Sequence, residues 1–300
     1  MKKIHIGGQA VIEGVMMRGK NFYSIVVRKS DGQLVIHKDK LKSLPGRFPF
    51  LKLPILRGCA ALIENLILGI KALSFSANQF LTDEAGGSKD SSKELSSVEI
   101  FLTILFSLGI GFILFFLFPL LLTNLIKNNF DIFRYTVIFN FIDGFFRVII
   151  FILYIYIISG LKDIQRVFQY HGAEHKAVFN FESDSNLSVE HAMKFSPLHP
   201  RCGTSFLLLV MVISILIFSF IPREISLMYK ALWRLCMAPL IVGVSYEIIK
   251  LGGENLSNPF IKILMKPGLY LQKLTTREPT EDQIIVAITA LKEVISLENP

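Results

Sequence analysis

Four stretches of the chain stay apolar for long enough to cross a bilayer, which takes about 20 mostly apolar residues. They cover residues 98–126, 135–161, 204–221 and 229–251. This pattern predicts a mainly α-helical, polytopic membrane protein with about four transmembrane helices. The third run is the shortest, and the fourth carries Arg234 and Glu247. In the second run Asp143 and Arg147 stand four residues apart, so a helix brings them together as a pair. A polar network near the outer leaflet, with arginines reaching toward the interface, explains such residues better than an ion path.

The pattern differs before the first long run. Phe22-Tyr-Ser-Ile-Val-Val27 is rich in β-branched and aromatic residues, Ser30-Asp-Gly-Gln33 is a turn signal, and Leu34-Val-Ile36 returns the chain. Residues 1–52 therefore read as a small β-rich segment built on a hairpin. The four glycines of Gly7-Gly8 and Gly14 to Gly19 match no phosphate-binding fingerprint and point to turns and close packing. Residues 53–82 follow a helical period through Ile55, Leu56, Ala60, Ile63, Leu66, Ile67 and Ile70, interrupted by Arg57, Glu64, Asn65 and Lys71. An amphipathic helix at the membrane interface fits best, with re-entrant burial second. Residues 83–97 have the composition of a flexible linker.

Residues 98–251 then form the transmembrane region, with a polar loop at 162–203. No breaker is evident between the second run and 162–170, so one long helix is expected to emerge there. Pro197 and Pro200 interrupt the chain ahead of the third run. In the C-terminal segment, 252–300, Gly252-Gly253 and Pro267-Gly268 read as breaks. Thr280-Glu-Asp-Gln283 is a capping box that opens a last helix to about residue 297. Its Ile284, Ile285, Ile288, Leu291 and Ile295 form an apolar stripe that must dock, and the N-terminal segment is the expected partner. No internal repeat is present, which leaves an inverted-repeat transporter without support.

Composition agrees with a bilayer as the main partner: of 300 residues 52% are hydrophobic, and the mean hydropathy is +0.51. The net charge of +8 would suggest nucleic acid in a soluble protein. Here the basic residues follow the flanks of the spans, so no nucleic-acid partner is inferred. About fifteen lie before the first span, about five each in 162–203 and after the last span, and about two in each remaining connection. This asymmetry puts both termini and the 162–203 loop in the cytoplasm. Cys59, Cys202 and Cys236 show no pairing pattern, and no disulfide is expected. Lys2-Lys3 is not followed by a signal-peptide core, so the first span would insert uncleaved.

The chemistry concentrates in that loop. Residues 171–175 read His-Gly-Ala-Glu-His, and His199-Pro-Arg-Cys202 follows. His171, Glu174 and His175 share one face of a helix, and imidazole and thiolate suit a divalent transition metal, zinc first. Three readings compete. In the first, His171 and His175 bind zinc with Glu247 or His199 as third ligand, and Glu174 is the general base of a hydrolase, as in the inverted His-x-x-Glu-His order of some zinc proteases. In the second, His171, His175, His199 and Cys202 close a four-ligand structural staple with no position left for water. In the third, no metal binds and these are surface histidines with ordinary hydrogen bonds. Cys202 beside Arg201 is a weaker candidate as a nucleophile, since nothing else suggests acyl transfer.

Five pieces together carry a resemblance: GGQAVIEGVMMRG, PILRG, YHGAEHK, LHPRCGTSFLL and LTTREPTEDQIIVAI. From about residue 5 to the C-terminus the chain resembles the YqhQ-like bacterial membrane proteins, a family of unknown function often labelled a predicted metal-dependent enzyme. The resemblance implies a bacterial inner-membrane protein and supplies no reaction.

Overall fold

A computed structural model describes residues 6–84, 96–183, 186–222, 226–254 and 258–299. The expected linker at 83–97 and the lysines at 2 and 3 lie mostly or wholly outside the described residues. The N-terminal segment forms β1 (Gly7–Val11), β2 (Gly14–Arg18), β3 (Phe22–Arg28) and β4 (Leu34–Lys40). These make one antiparallel meander in the order β1-β2-β3-β4. The expected hairpin is β3–β4, and the glycine-rich stretch before it is a second hairpin. Its turn holds Glu13 at φ 52. Gly14 lies directly under the Val26 carbonyl, where a Cβ would collide with the oxygen.

The meander is buried on both faces. Alternation along β2 and β3 sends Val15, Met17 and Val26 to one side and Met16, Tyr23, Ile25 and Val27 to the other. The second face lies on α2 (Leu56–Glu84) through Leu68 and Ala72. A short helix, α1 (Leu44–Arg47), and one 3-10 turn lead into α2.

The membrane-type helices follow. The chain runs through α3 (Ser97–Phe112), a π turn at Ile113–Leu117 and α4 (Phe118–Ile126), then α5 (Thr136–Ile158). Beyond α6 (Lys162–Glu182) and α7 (Val189–Met193) come α8 (Gly203–Phe218), α9 (Leu227–Glu254), α10 (Pro259–Thr275) and α11 (Glu281–Glu298). Among the described residues four helices are long and apolar enough to cross a membrane: Leu56–Asp83, Val98–Ile126, Thr136–Ile158 and Met228–Gly253. The set differs from the expected one at two places. The third expected span is the 16-residue α8, about 24 Å long against a hydrocarbon core of about 30 Å. Cys202 caps its start, and the helix ends at Ser219. In its place α2 meets the length and composition test. Much of α2 is nevertheless committed to the sheet. Glu64 bonds Arg18, Ser76 accepts from Ile12 N, Asp83 accepts from Ser30 N, and Gly69 packs on Gln9.

Two further expectations change. The helix emerging from the second span is broken at Ser159–Leu161. Gly160 sits in a turn, Leu161 is extended, and Arg277 Nη2 donates to the Ser159 carbonyl at 3.0 Å. The break frees α6 to leave the bundle and pack against β1 and α11. Pro267-Gly268 does not end a helix: α10 runs through both, and Gly268 lies against Ser205 of α8.

The last helix, α11, opens on the Thr280–Gln283 capping box. It packs on β2 and β3 on one side and α6 on another. Ile284, Ile288 and Leu291 are buried as the stripe requires, together with Val286, Ala287, Ala290 and Val294, while Ile285 is exposed. A helix held between a sheet and a second helix buries two faces, which a single stripe does not describe.

Candidate metal centre

The residues of the polar loop converge because α6 is enclosed on several sides. Gly172 meets the Arg277 carbonyl, where a Cβ would collide with the oxygen, and Arg277 N donates to the Phe168 carbonyl at 2.9 Å. Lys176 donates to the Met193 carbonyl at 2.9 Å and pairs with Glu278. Gly8 of β1 lies against the side chain of Glu174, and a Cβ there would come within 2.6 Å of Glu174 Cγ. The Gly8 amide lies on the side of the Glu174 carboxylate and favours its charged form.

His171, His175 and Cys202 offer three ligand atoms within 4.8 Å of one another. Each imidazole is fixed through its other nitrogen. His171 Nδ1 is 2.8 Å from the Thr275 carbonyl, and His175 Nδ1 is 2.5 Å from the Pro197 carbonyl. A carbonyl only accepts, so both Nδ1 atoms carry the proton and both Nε2 atoms present lone pairs. His171 Nε2 lies 3.3 Å from Cys202 Sγ. A tetrahedral zinc ion would separate a nitrogen and a sulfur ligand by about 3.5 Å. The backbone carbonyls behind both rings are the outer-shell partners that metal-bound histidines use. Cys202 caps α8, and its sulfur receives the Thr204 amide at 3.4 Å and approaches Thr204 Oγ1 at 3.1 Å.

Glu174 stands beside the trio, with Oε2 3.5 Å from His175 Nε2. Burial pushes its carboxyl above the usual range, opposed by His171, His199 and the Gly8 amide. Burial likewise holds His175 below the ordinary imidazole value, which favours the neutral ring that a metal needs.

The two other expected ligands are engaged elsewhere. His199 is close, its ring centroid 5.7 Å from that of His175, but both its nitrogens have partners. Nδ1 accepts from Arg201 N at 3.2 Å, so Nε2 carries the proton and faces Glu182 at 3.4 Å. Its backbone is clamped by the buried Gln272, which accepts from His199 N and donates to His199 O, both at 2.8 Å. His199 therefore positions the loop that delivers Cys202. Glu247 on α9 is bound by Arg57 and receives Ile55 N at 3.4 Å, so a cation other than a metal already holds its carboxylate. Sequence reasoning missed Gly8, Gly172, Gln272 and the carbonyls of Thr275 and Pro197. Gly8 and Gly172 lie inside the motifs GGQAVIEGVMMRG and YHGAEHK, yet a glycine in a motif does not reveal what it packs against.

The family described as "Protein of unknown function (DUF1385)" matches residues 53–297. The chain is also 35% identical over 296 residues to the "Uncharacterized protein YqhQ" of Bacillus subtilis (strain 168), covering 97% of this chain and 92% of that one. No solved structure matches.

Proposed function

The chain belongs to the DUF1385 family, and from its own geometry we propose that it is a membrane metal-dependent hydrolase. His171, His175 and Cys202 hold a divalent transition metal, zinc the first choice, and Glu174 is the general base. The observation that carries this reading is the pair of backbone carbonyls that fix both Nδ1 protons and leave both Nε2 lone pairs for a metal, within a group whose ligand atoms, Cys202 Sγ included, lie within 4.8 Å of one another. Three protein ligands leave a fourth position, the arrangement of catalytic rather than structural zinc sites. When bound, the ion supplies Lewis acidity and lowers the pKa of water toward neutrality.

Glu174 is suited to take the proton. It is next to the ligands without being one of the three, and burial raises its proton affinity toward the range useful to a general base. Close packing of Gly8 confines the side chain from the strand side. The site lies where α5 gives way to α6 and where α8 begins, at one end of the bundle. The excess of basic residues on that side supports a cytoplasmic face of a bacterial inner membrane, with both termini inside. The polypeptide's partner throughout is the lipid bilayer.

A second reading, a non-catalytic scaffold or assembly factor with a structural metal staple, draws on one observation. Glu174, His175 and Cys202 are each at most 6% exposed, which leaves a substrate little access to the trio. Glu174→Gln separates the two. It keeps size and hydrogen bonding but cannot take a proton. Under the hydrolase reading the variant keeps its metal and fold and fails to complement a deletion strain. Full complementation with metal retained would leave the scaffold.

A further inference from the structure

A second charged group lies at the other end of the bundle. Asp143 and Arg147 on α5 pair, as their spacing requires. Arg234 of α9 approaches the same carboxylate at 3.8 Å, beyond hydrogen-bond distance. Among the described residues two guanidinium groups thus share one carboxylate, leaving one positive charge unbalanced inside an apolar bundle, where ionisable groups are costly and mark functional positions. Asp143 Oδ1, Arg147 Nε and Arg234 Nε are all buried without a hydrogen-bond partner among the described residues.

The surroundings are aromatic and supply no second anion among the described residues. The Phe116 ring lies 5.2 Å from the Arg147 guanidinium and 4.8 Å from that of Arg234. Phe218 at the end of α8 lies 5.3 Å from Arg234. Phe116 belongs to the π turn at Ile113–Leu117, a helix irregularity that recurs at functional positions. Asp143 and Arg234 are each the eighth residue of their helices, about 10 Å in from the ends remote from the metal centre, while Arg147, the twelfth residue of α5, stands about 16 Å in and turns back to Asp143. An arginine side chain at the depth of Arg234 reaches the headgroup region.

We propose that Arg147 and Arg234 form a binding site for a phosphate group at the membrane face opposite the His/Cys centre. The planar donor fork of each arginine matches phosphate oxygens in pairs, and a phosphate monoanion balances the extra charge. Phospholipid headgroups are one source of that chemistry and free phosphate is the other. Asp143 competes for the same donors and orients Arg147.

The test is native mass spectrometry of the full-length protein in mild detergent, titrated with phosphatidylglycerol in one arm and inorganic phosphate in the other. The wild type should retain one adduct in one arm, and that arm identifies the source. Arg234→Gln should weaken it at least tenfold. Arg234→Lys should recover part of the loss, because the charge returns without the fork. Asp143→Asn should bind several-fold more tightly, the opposite of what loss of a purely structural ion pair would do. Unchanged size-exclusion profiles and metal content would show that each variant is folded. Folded wild type with no adduct in either arm, or folded Asp143→Asn that binds more weakly, would overturn the proposal.

Discussion

The sharpest constraint at the residue scale is the contact between Gly8 and Glu174. A methyl group at position 8 would sit 2.6 Å from Glu174 Cγ and 2.7 Å from the Met16 carbonyl, closer than the strand can yield without moving. Gly8→Ala should therefore cost about 1–3 kcal/mol of stability, the range for overpacking, and should shift Glu174 away from the ligands. Thermal unfolding in detergent measures the first effect. Metal affinity should fall much less than in His171→Ala, since Gly8 touches the base and not a ligand. An unaltered melting temperature would show that β1 does not press on the site. The pair His171 and His175 is legible from spacing alone, since an i, i+4 pair shares a face on any helix. The fates of His199 and Glu247 are not. Each is set by partners distant in sequence, Gln272 for the first and Arg57 for the second, and no local pattern encodes those.

At the scale of elements, α11 joins the chain's ends by packing on the N-terminal sheet and on the helix that carries the histidines. Leu291 is fully buried between them. Leu291→Ala should cost about 2–5 kcal/mol, lower the melting temperature and weaken metal binding together, although the residue touches no ligand. Loss of stability with metal affinity intact would mean that α6 holds its place without α11. The capping box and the β3–β4 hairpin are readable because turn and cap chemistry is local. The break between α5 and α6 is hidden in Ser159-Gly160, since a Ser-Gly pair at the end of an apolar run is a weak stop until Arg277 binds the freed Ser159 carbonyl. Pro267-Gly268 misleads in the other direction. Proline at that point of α10 is tolerated within the helix, and Gly268 allows close packing on Ser205.

For the whole molecule, the sequence pattern carries the class, a helical membrane protein with a small β-rich N-terminal part, because apolar runs of bilayer length rarely occur outside membrane helices. It does not separate α2 from α8 as spans. Length and composition favour α2, while its contacts with the sheet favour the interface, and only tertiary packing distinguishes these. The charge asymmetry predicts that position 187, between α6 and α7, faces the cytoplasm. A single cysteine there should resist a membrane-impermeant reagent in intact cells and react after permeabilisation, and labelling in intact cells would reverse the proposed orientation. Elemental analysis of protein purified without chelators shows whether the trio of His171, His175 and Cys202 is a metal centre. The wild type should carry about one divalent transition-metal ion per chain, lost in His171→Ala and in His175→Ala. Folded wild-type protein with no stoichiometric metal, and none taken up on titration with zinc, would contradict it.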